Sequence, residues 1–459
     1  MFSSVQKRWA LLLVCAAALY FLYFFGLTRT GLLGPDEPRY AAIGRAMAES
    51  GDWVTPRLWG EPWFEKPALL YWMTAAGFEA GLGLDLAPRL PVAIASVAFV
   101  IFFFVVLRRE FGDRTAFYAT TIFATSAGWL AFSRVAVTDL PMSAAFAGAM
   151  LAVMSGRGRV LAGALLGVAV LAKGLVPLAI FLPALWYWRK RVPDLLVLLA
   201  VAFLVAAPWY VLVTFRNGPP FLEDFFWKQH FARYLTSALQ HERPFWFYVP
   251  VLLAGFFPWT PLMGLLFEKH VYKDARATFL LAWLAWGFLF FSISRNKLPG
   301  YLLPLLPAAA ALIGIAIAQA KPRTIKMVCL LGACAVLLVL TPMIGQVLPP
   351  ALASGLSHLG VFAVVVSSKW VVPVLLMALI CAVLEWKSRP DWAIATVAVT
   401  TMIAVVRLIA DVYPALDREA SARARWHSNP ESITCIANEN RSLRYGLNYY
   451  TGRNLPDCN

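Results

Sequence analysis

Charge is scarce in this sequence. Only 14% of its 459 residues are Asp, Glu, Lys or Arg, five are His and six are Cys, against 60% hydrophobic residues. A soluble chain of this length needs far more polar surface to cover its core, so a water-soluble globular domain is excluded. No Cys/His set has zinc-site spacing, which leaves structural zinc without a motif. Internal repeats and low-complexity tracts are also missing, which excludes solenoids and long disordered linkers.

Apolar runs recur along the whole chain, long enough to cross about 30 Å of hydrocarbon as helices. They place spans at 9–27, 87–107, 115–133, 138–155, 158–172, 174–188, 193–214, 246–267, 277–293, 299–318, 325–346, 360–384 and 391–411. The pattern predicts an all-α polytopic membrane protein of about thirteen helices. No soluble domain is expected ahead of the helices, and residues 412–459 follow them. Residues 1–27 pair basic residues with an apolar stretch but show no small-residue cleavage site, so an uncleaved first helix is expected.

The net charge of +15 is distributed by topology. If Lys7 and Arg8 are cytoplasmic, every second connection is short and basic. These carry Arg108, Arg109 and Arg114; Arg157 and Arg159; Arg189, Lys190 and Arg191; Lys269, Lys273 and Arg276; Lys321, Arg323 and Lys326; and Lys387 and Arg389. Spread over six loops, they suit anionic lipid headgroups and form no contiguous basic domain, which speaks against nucleic acid. The opposite connections are short, or long and mixed, as in 28–86 and 215–245. An odd span count puts the C-terminus outside.

Cys15, Cys329, Cys334 and Cys381 lie in apolar spans, whereas Cys435 and Cys458 fall in the outside tail. There a disulfide can form and staple a segment too small for its own core; the alternative is two free thiols.

Ionisable residues near membrane depth are expensive and usually face a cavity, a partner or a substrate. Lys66, Lys173, Arg233 and Lys297 can all gather outside at the mouth of one bundle, as an anionic lipid phosphate requires. Asp36, Glu37, Glu65 and Asp139 supply acid/base groups. Alternatives stand beside each: Asp36 can cap the helix that Pro38 begins, and any single cation can snorkel. Tyr40–Glu49 reads as an amphipathic helix on the membrane surface, with Ile43 and Met47 as its apolar stripe. Trp53, Trp59, Trp63 and Trp72 fit an aromatic belt, with sugar stacking as the second reading.

Several of these residues sit in motifs that resemble a known family. Pro35-Asp36-Glu37-Pro38-Arg39-Tyr40, Gly51-Asp52-Trp53 and Phe64-Glu65-Lys66-Pro67 with Tyr71-Trp72 are similar to the first periplasmic loop of bacterial aminoarabinose lipid A transferases. These belong to the C-type glycosyltransferase superfamily with the protein O-mannosyltransferases. Thr138-Asp139, Ala172-Lys173-Gly174, Phe225 to His230 with Arg233, Pro244-Phe245-Trp246 and Lys297-Leu298-Pro299-Gly300-Tyr301 match further.

The resemblance implies the C-type glycosyltransferase fold in a bacterial inner membrane, N-terminus cytoplasmic and C-terminus periplasmic. It implies a monomer that transfers sugar, with inversion, from a polyprenyl-phosphate donor to a lipid or glycan acceptor. Residues 1–411 would form the transferase domain, loops 28–86 and 215–245 its active-site face, and 412–459 a small periplasmic segment. Lys66 would hold the donor phosphate with Arg233 and Tyr301, and Asp36 would lie nearest the acceptor or reacting sugar. Asp139 and Lys173 would support the pocket, with Arg39, Tyr40 and Lys297 also substrate-facing. No cofactor is assigned and a metal requirement stays open: Glu65 and His230 could meet across the cavity and, with water, hold zinc or another divalent ion. Typical members carry a larger outside domain after the last span, so the acceptor stays open, and so does the sugar.

A protein O-mannosyltransferase-like activity is the alternative within this chemistry. A lipid or small-molecule transporter is the alternative outside it, but the acidic loop 28–86 has no counterpart in the second half, as inverted repeats demand. An inactive scaffold would not need the set Asp36, Lys66, Lys173 and Tyr301. The orientation has a direct test. Reporter fusions after Arg191 and Arg276 should report cytoplasm, and fusions after Asn217 and Asn459 the outside; the reverse at Arg276 and Asn217 overturns it.

Overall fold

The computed structural model describes residues 4–232, 242–321, 324–354, 368–428, 430, 433–436 and 440–458. Helix covers most of the described part of each expected span. Among the described residues seven helices are long and apolar enough to cross a membrane, or eight when Phe245–Gly255 and Thr260–Phe267, bent by 116°, count as one. The remaining segments fall short for local reasons. Segment 115–133 divides into Asp113–Ala124 and Ala127–Phe132, where Thr125 and Ser126 turn their hydroxyls back onto the carbonyls of Thr121 and Ile122. Segment 174–188 divides into Val176–Ile180 and Leu182–Tyr187, each with proline in its first turn.

Small residues let the bundle close. Arg159–Lys173 packs between Asp139–Met154 and Val192–Asn217. A methyl group on Gly163 would stand 2.4 Å from the Leu198 carbonyl oxygen, and one on Gly167 2.7 Å from that of Ala202. The spacing of four thus puts two bare Cα atoms on one face against a neighbouring backbone. Pro299–Gln319 is the interior helix, with 89% of its apolar window buried against 28% for Val192–Asn217.

Loop 28–86 is an ordered cap on one end of the bundle. Asp36–Ser50 begins with two acids, which suit a helix N-terminus, and ends at Gly51 in the left-handed region, whose N–H bonds to the Met47 carbonyl. Ile43 and Met47 are buried as their periodicity predicts. The helix buries more than that stripe. It packs on Leu69–Glu79 and on the tail helix Arg441–Thr451, and also buries Glu37, Arg39 and Tyr40. Between its neighbours lies a two-stranded hairpin pairing Leu58 with Glu61. Its turn holds Trp59 at φ +53° and Gly60 at φ +89°. A bulky residue in the left-handed region costs about 1–3 kcal/mol.

The tail is tied to this cap. Cys435 and Cys458 form the expected disulfide. The Arg423 guanidinium bridges Asp85 and Asp417 and donates to the carbonyls of Thr28 and Arg29. Tyr449 donates to the Leu84 carbonyl, and Tyr450 donates to Asp85 while accepting from the Leu32 N–H.

At the centre of the cap, Glu37 and Arg89 form a buried pair. Arg89 uses all its donors: Nε and Nη2 to the two Glu37 oxygens at 2.7 and 2.8 Å, and the rest to the carbonyls of Leu27, Thr30 and Gly31. Glu37 also accepts from the N–H groups of Leu33 and Ala136. Replacing one member strands the other charge. Arg89→Met should cost about 3–5 kcal/mol, read as a large fall in the unfolding midpoint of the purified protein. An unchanged midpoint would refute the anchoring role.

Candidate active site

The helix that begins at Asp36 sends neighbouring carboxylates in different directions, because successive residues are about 100° apart on a helix. Glu37 turns inward to Arg89. Asp36 stays at the surface, its side chain 47% exposed, and accepts from Arg39 Nη2 at 2.6 Å. The helix already includes Asp36, with Pro35 at the cap position, so Asp36 is not its capping residue.

Arg39 is the hinge of an ion-pair chain. Its Nη2 also meets Glu65 Oε2 at 2.9 Å, and Glu65 Oε1 lies 3.3 Å from Lys66 Nζ. Arg39 is 3% exposed, Glu65 13% and Lys66 12%, so the hinge is the most buried member and Asp36 the most open. The motif Phe64-Glu65-Lys66-Pro67 can present its charges this way because Phe64 and Pro67 are buried on either side of them. Burial works against the Arg39 charge, but Glu65, Tyr40 and Asp36 more than offset it and raise its pKa. Burial first, then Glu65 and Asp36, push the Tyr40 and Tyr71 phenols well up, so both stay protonated. The rings of Tyr40, Trp63 and Tyr445 surround the guanidinium at 5.2–5.5 Å.

A second charged group gathers across the loop. Lys173 Nζ bonds Asp139 Oδ1 at 2.7 Å and lies 4.6 Å from the centre of the Tyr301 ring. Gly300 makes room for it: a Cβ there would stand 2.5 Å from Asp139 Oδ1 and 2.8 Å from Phe132. The two groups are joined through Glu37, whose Oε1 accepts from Ala136 three residues before Asp139. Lys66, Lys173 and Asp36 thus bring two cations and a half-exposed carboxylate to one end of the bundle.

Several expectations change. Glu37 is not an acid/base group, because both oxygens are fully committed in a buried site. Lys297 is a structural latch: it is buried, donates to the carbonyls of Ser294 and Arg243, and burial lowers its pKa. Arg39 and Tyr40 are buried beneath the site and position it from behind. Arg233 and the His230 side chain lie outside the described residues. Among the described residues no group of three or more His, Cys, Asp or Glu stands together, and Glu65 is already engaged by two cations. Arg89 and Tyr445 were not singled out from sequence. Arg89 carried a usable signal, a charge two residues into an apolar span; Tyr445 carried none.

A family model described as dolichyl-phosphate-mannose-protein mannosyltransferase matches residues 65–212. The undecaprenyl phosphate-alpha-4-amino-4-deoxy-L-arabinose arabinosyl transferase 2 of Pseudomonas fluorescens is 36% identical over 340 residues, covering 69% of this chain and 57% of the relative. The corresponding transferase of Pseudomonas aeruginosa is 34% identical over 338 residues, covering 69% and 60%. The chain therefore spans somewhat over half the length of these curated relatives. The crystal structure of ArnT from Cupriavidus metallidurans bound to undecaprenyl phosphate superposes with a TM-score of 0.76 at 26% identity, covering 98% of this chain and 85% of that one.

The architecture is thus that of the multi-pass C-type membrane glycosyltransferases. Within that class, the chain belongs to the bacterial aminoarabinose lipid A transferase-like family.

Proposed function

We propose that the chain is a polyprenyl-phosphate-sugar-dependent glycosyltransferase of the bacterial inner membrane. It moves a sugar, with inversion, to a lipid A-like lipid or another glycan at the periplasmic face. The observation that carries this reading is the chain Asp36–Arg39–Glu65–Lys66, which holds a carboxylate and a cation in fixed relation on the same ordered loop. The names of the relatives, undecaprenyl phosphate-linked arabinosyl transferases, support the donor class.

The chemistry needs both ends. As the bond from the anomeric carbon to the phosphate oxygen breaks, negative charge grows on the leaving lipid phosphate. Lys66, with Lys173 and Tyr301 beside the pocket, stabilises it without reorganising. An acceptor oxygen attacks the opposite face of the sugar. If that oxygen belongs to a hydroxyl, Asp36 takes its proton; if it belongs to a phosphate, already ionised, no base is needed. Arg39 orients Asp36 and Glu65, and Glu65 in turn orients Lys66. The alternating basic loops support a periplasmic reacting face, and the protein acts as a monomer.

The donor assignment is tested at Lys66. In nanodiscs, Lys66→Ala should weaken undecaprenyl phosphate binding about tenfold or more, as loss of a charge-assisted contact predicts, and abolish transfer with an unchanged unfolding midpoint. Lys66→Arg should rescue in part, since a planar fork places its charge differently. Wild-type affinity in the alanine variant refutes the assignment. Turnover without ATP or an ion gradient separates transferase from transporter.

A further inference from the structure

One buried cation at this end of the bundle pairs with no carboxylate among the described residues. Arg134, 7% exposed, reaches under the end of the first span. It donates from Nη1 to the Leu22 carbonyl at 3.1 Å and from Nη2 to that of Phe25. It also hydrogen-bonds the Tyr413 phenol, whose ring centre lies 5.8 Å from the guanidinium carbon. Its Nε is buried and has no acceptor among the described residues. The acids of the surrounding elements are engaged elsewhere: Glu37 by Arg89, Asp417 by Arg423, and Asp411 by Arg407 at 4.0 Å.

An arginine cannot shed its proton, so its burial has to be offset by its surroundings. Arg89 shows what full compensation takes in this fold: three carbonyls and both oxygens of a carboxylate. Arg134 meets two carbonyls and a phenol instead. Carbonyls at a helix end supply only about half an elementary charge, which leaves roughly half of the guanidinium charge for an anion to meet.

The surroundings decide what kind of anion fits. The end of the first span packs on the helix Pro390–Asp411, and closely: a methyl group on Gly26 would stand 2.5 Å from Ile409 Cγ2. Beside that contact Tyr20, Phe21 and Phe25 form a run of ring contacts, with Tyr20 53% and Phe21 38% exposed. Such rings sit at the headgroup level of a bilayer. Arg29 is exposed, stacks over the Phe25 ring at 5.0 Å, and pairs with no carboxylate among the described residues. Phe25 is thus flanked by two guanidinium groups, one on its carbonyl and one over its ring. Two arginines beside exposed rings at that depth suit the phosphate of an anionic membrane lipid.

We propose that the seam between the first and last spans is a binding site for the headgroup of an anionic phospholipid. Arg29 contacts the phosphate from the exposed side, and Arg134 supplies the buried positive charge behind it. The bound lipid clasps the first span to Pro390–Asp411, the helix that leads into the tail. This site is separate from the donor phosphate site at Lys66 and does not depend on the glycosyl-transfer reading.

The test reconstitutes the full chain in nanodiscs of phosphatidylcholine, with or without phosphatidylglycerol. It reads the unfolding midpoint and, by native mass spectrometry, the lipids retained. Wild-type protein should retain phosphatidylglycerol about fivefold or more above its share of the bilayer, and its midpoint should rise with that lipid. Arg29→Gln changes an exposed side chain and should fold normally, yet lose about fivefold of the preference, the factor one basic residue contributes near an anionic surface. Arg134→Gln should also abolish the lipid-dependent rise, whatever its midpoint in phosphatidylcholine alone. Arg109→Gln removes an exposed arginine in the last turn of Gly83–Phe111, at the opposite end of the bundle, and should keep the preference. Equal retention of both lipids, a preference kept by Arg29→Gln, or one lost equally in Arg109→Gln overturns the proposal. So does a midpoint rise with inorganic phosphate in pure phosphatidylcholine that Arg29→Gln removes, since the anion would then be a soluble one. Undecaprenyl phosphate titrated into Arg29→Gln should bind as it does to wild type; weakened binding would merge this site with the donor site and overturn their separation.

Discussion

A carboxylate and a guanidinium buried together hold the active end of this protein in place. Glu37 and Arg89 lie 52 positions apart in the sequence and have no access to solvent. Each would be costly alone in an apolar interior, and each is fully satisfied by the other and by backbone. Through that pair, four pieces of chain meet: the segment after the first helix, the start of Asp36–Ser50, the connection at Ala136, and the head of Gly83–Phe111. Once Glu37 is fixed inward, helix geometry sets where Asp36 and Arg39 can point. The ion-pair chain to Lys66 follows from that.

The tail reinforces the same segment from outside. Gly31 gives its carbonyl to Arg89 and its N–H to Asp417, while the Leu32 N–H goes to Tyr450. A stretch without helix or strand, 30–33, thereby has five of its backbone groups bonded to side chains, which an irregular segment near a membrane needs. The disulfide closes the loop that contains Tyr450. Tail and loop 28–86 are joined, with Asp85 and Arg423 as their charged seam.

Much of the helical plan was legible because apolar runs and alternating basic loops are strong signals that need no partner. The breaks within runs were less so, since Thr125 and Ser126 look like ordinary span residues until their hydroxyls turn back on the helix. At the site, Asp36, Glu65, Lys66, Asp139 and Lys173 stood out as charges in apolar surroundings, and the structure joins them in two ion-paired groups. Glu37 and Lys297 stood out by the same rule and proved structural, because a buried charge advertises its cost and not its partner. Arg89 was overlooked because its meaning depends wholly on a distant residue. Trp59 could be placed in a belt or on a sugar from sequence alone; the turn that strains it is visible only in the backbone.

The central claim is that two adjacent carboxylates have opposite duties, Glu37 holding the fold and Asp36 serving the reaction. It is tested most directly by purifying Asp36→Asn and Glu37→Gln side by side and measuring unfolding midpoint and sugar transfer to a hydroxyl-bearing acceptor on both. The account predicts that Asp36→Asn unfolds like wild type but transfers about a hundredfold more slowly, as loss of a general base entails. Glu37→Gln should unfold at a markedly lower midpoint. A stable, inactive Glu37→Gln together with an unstable Asp36→Asn of normal specific activity would contradict it.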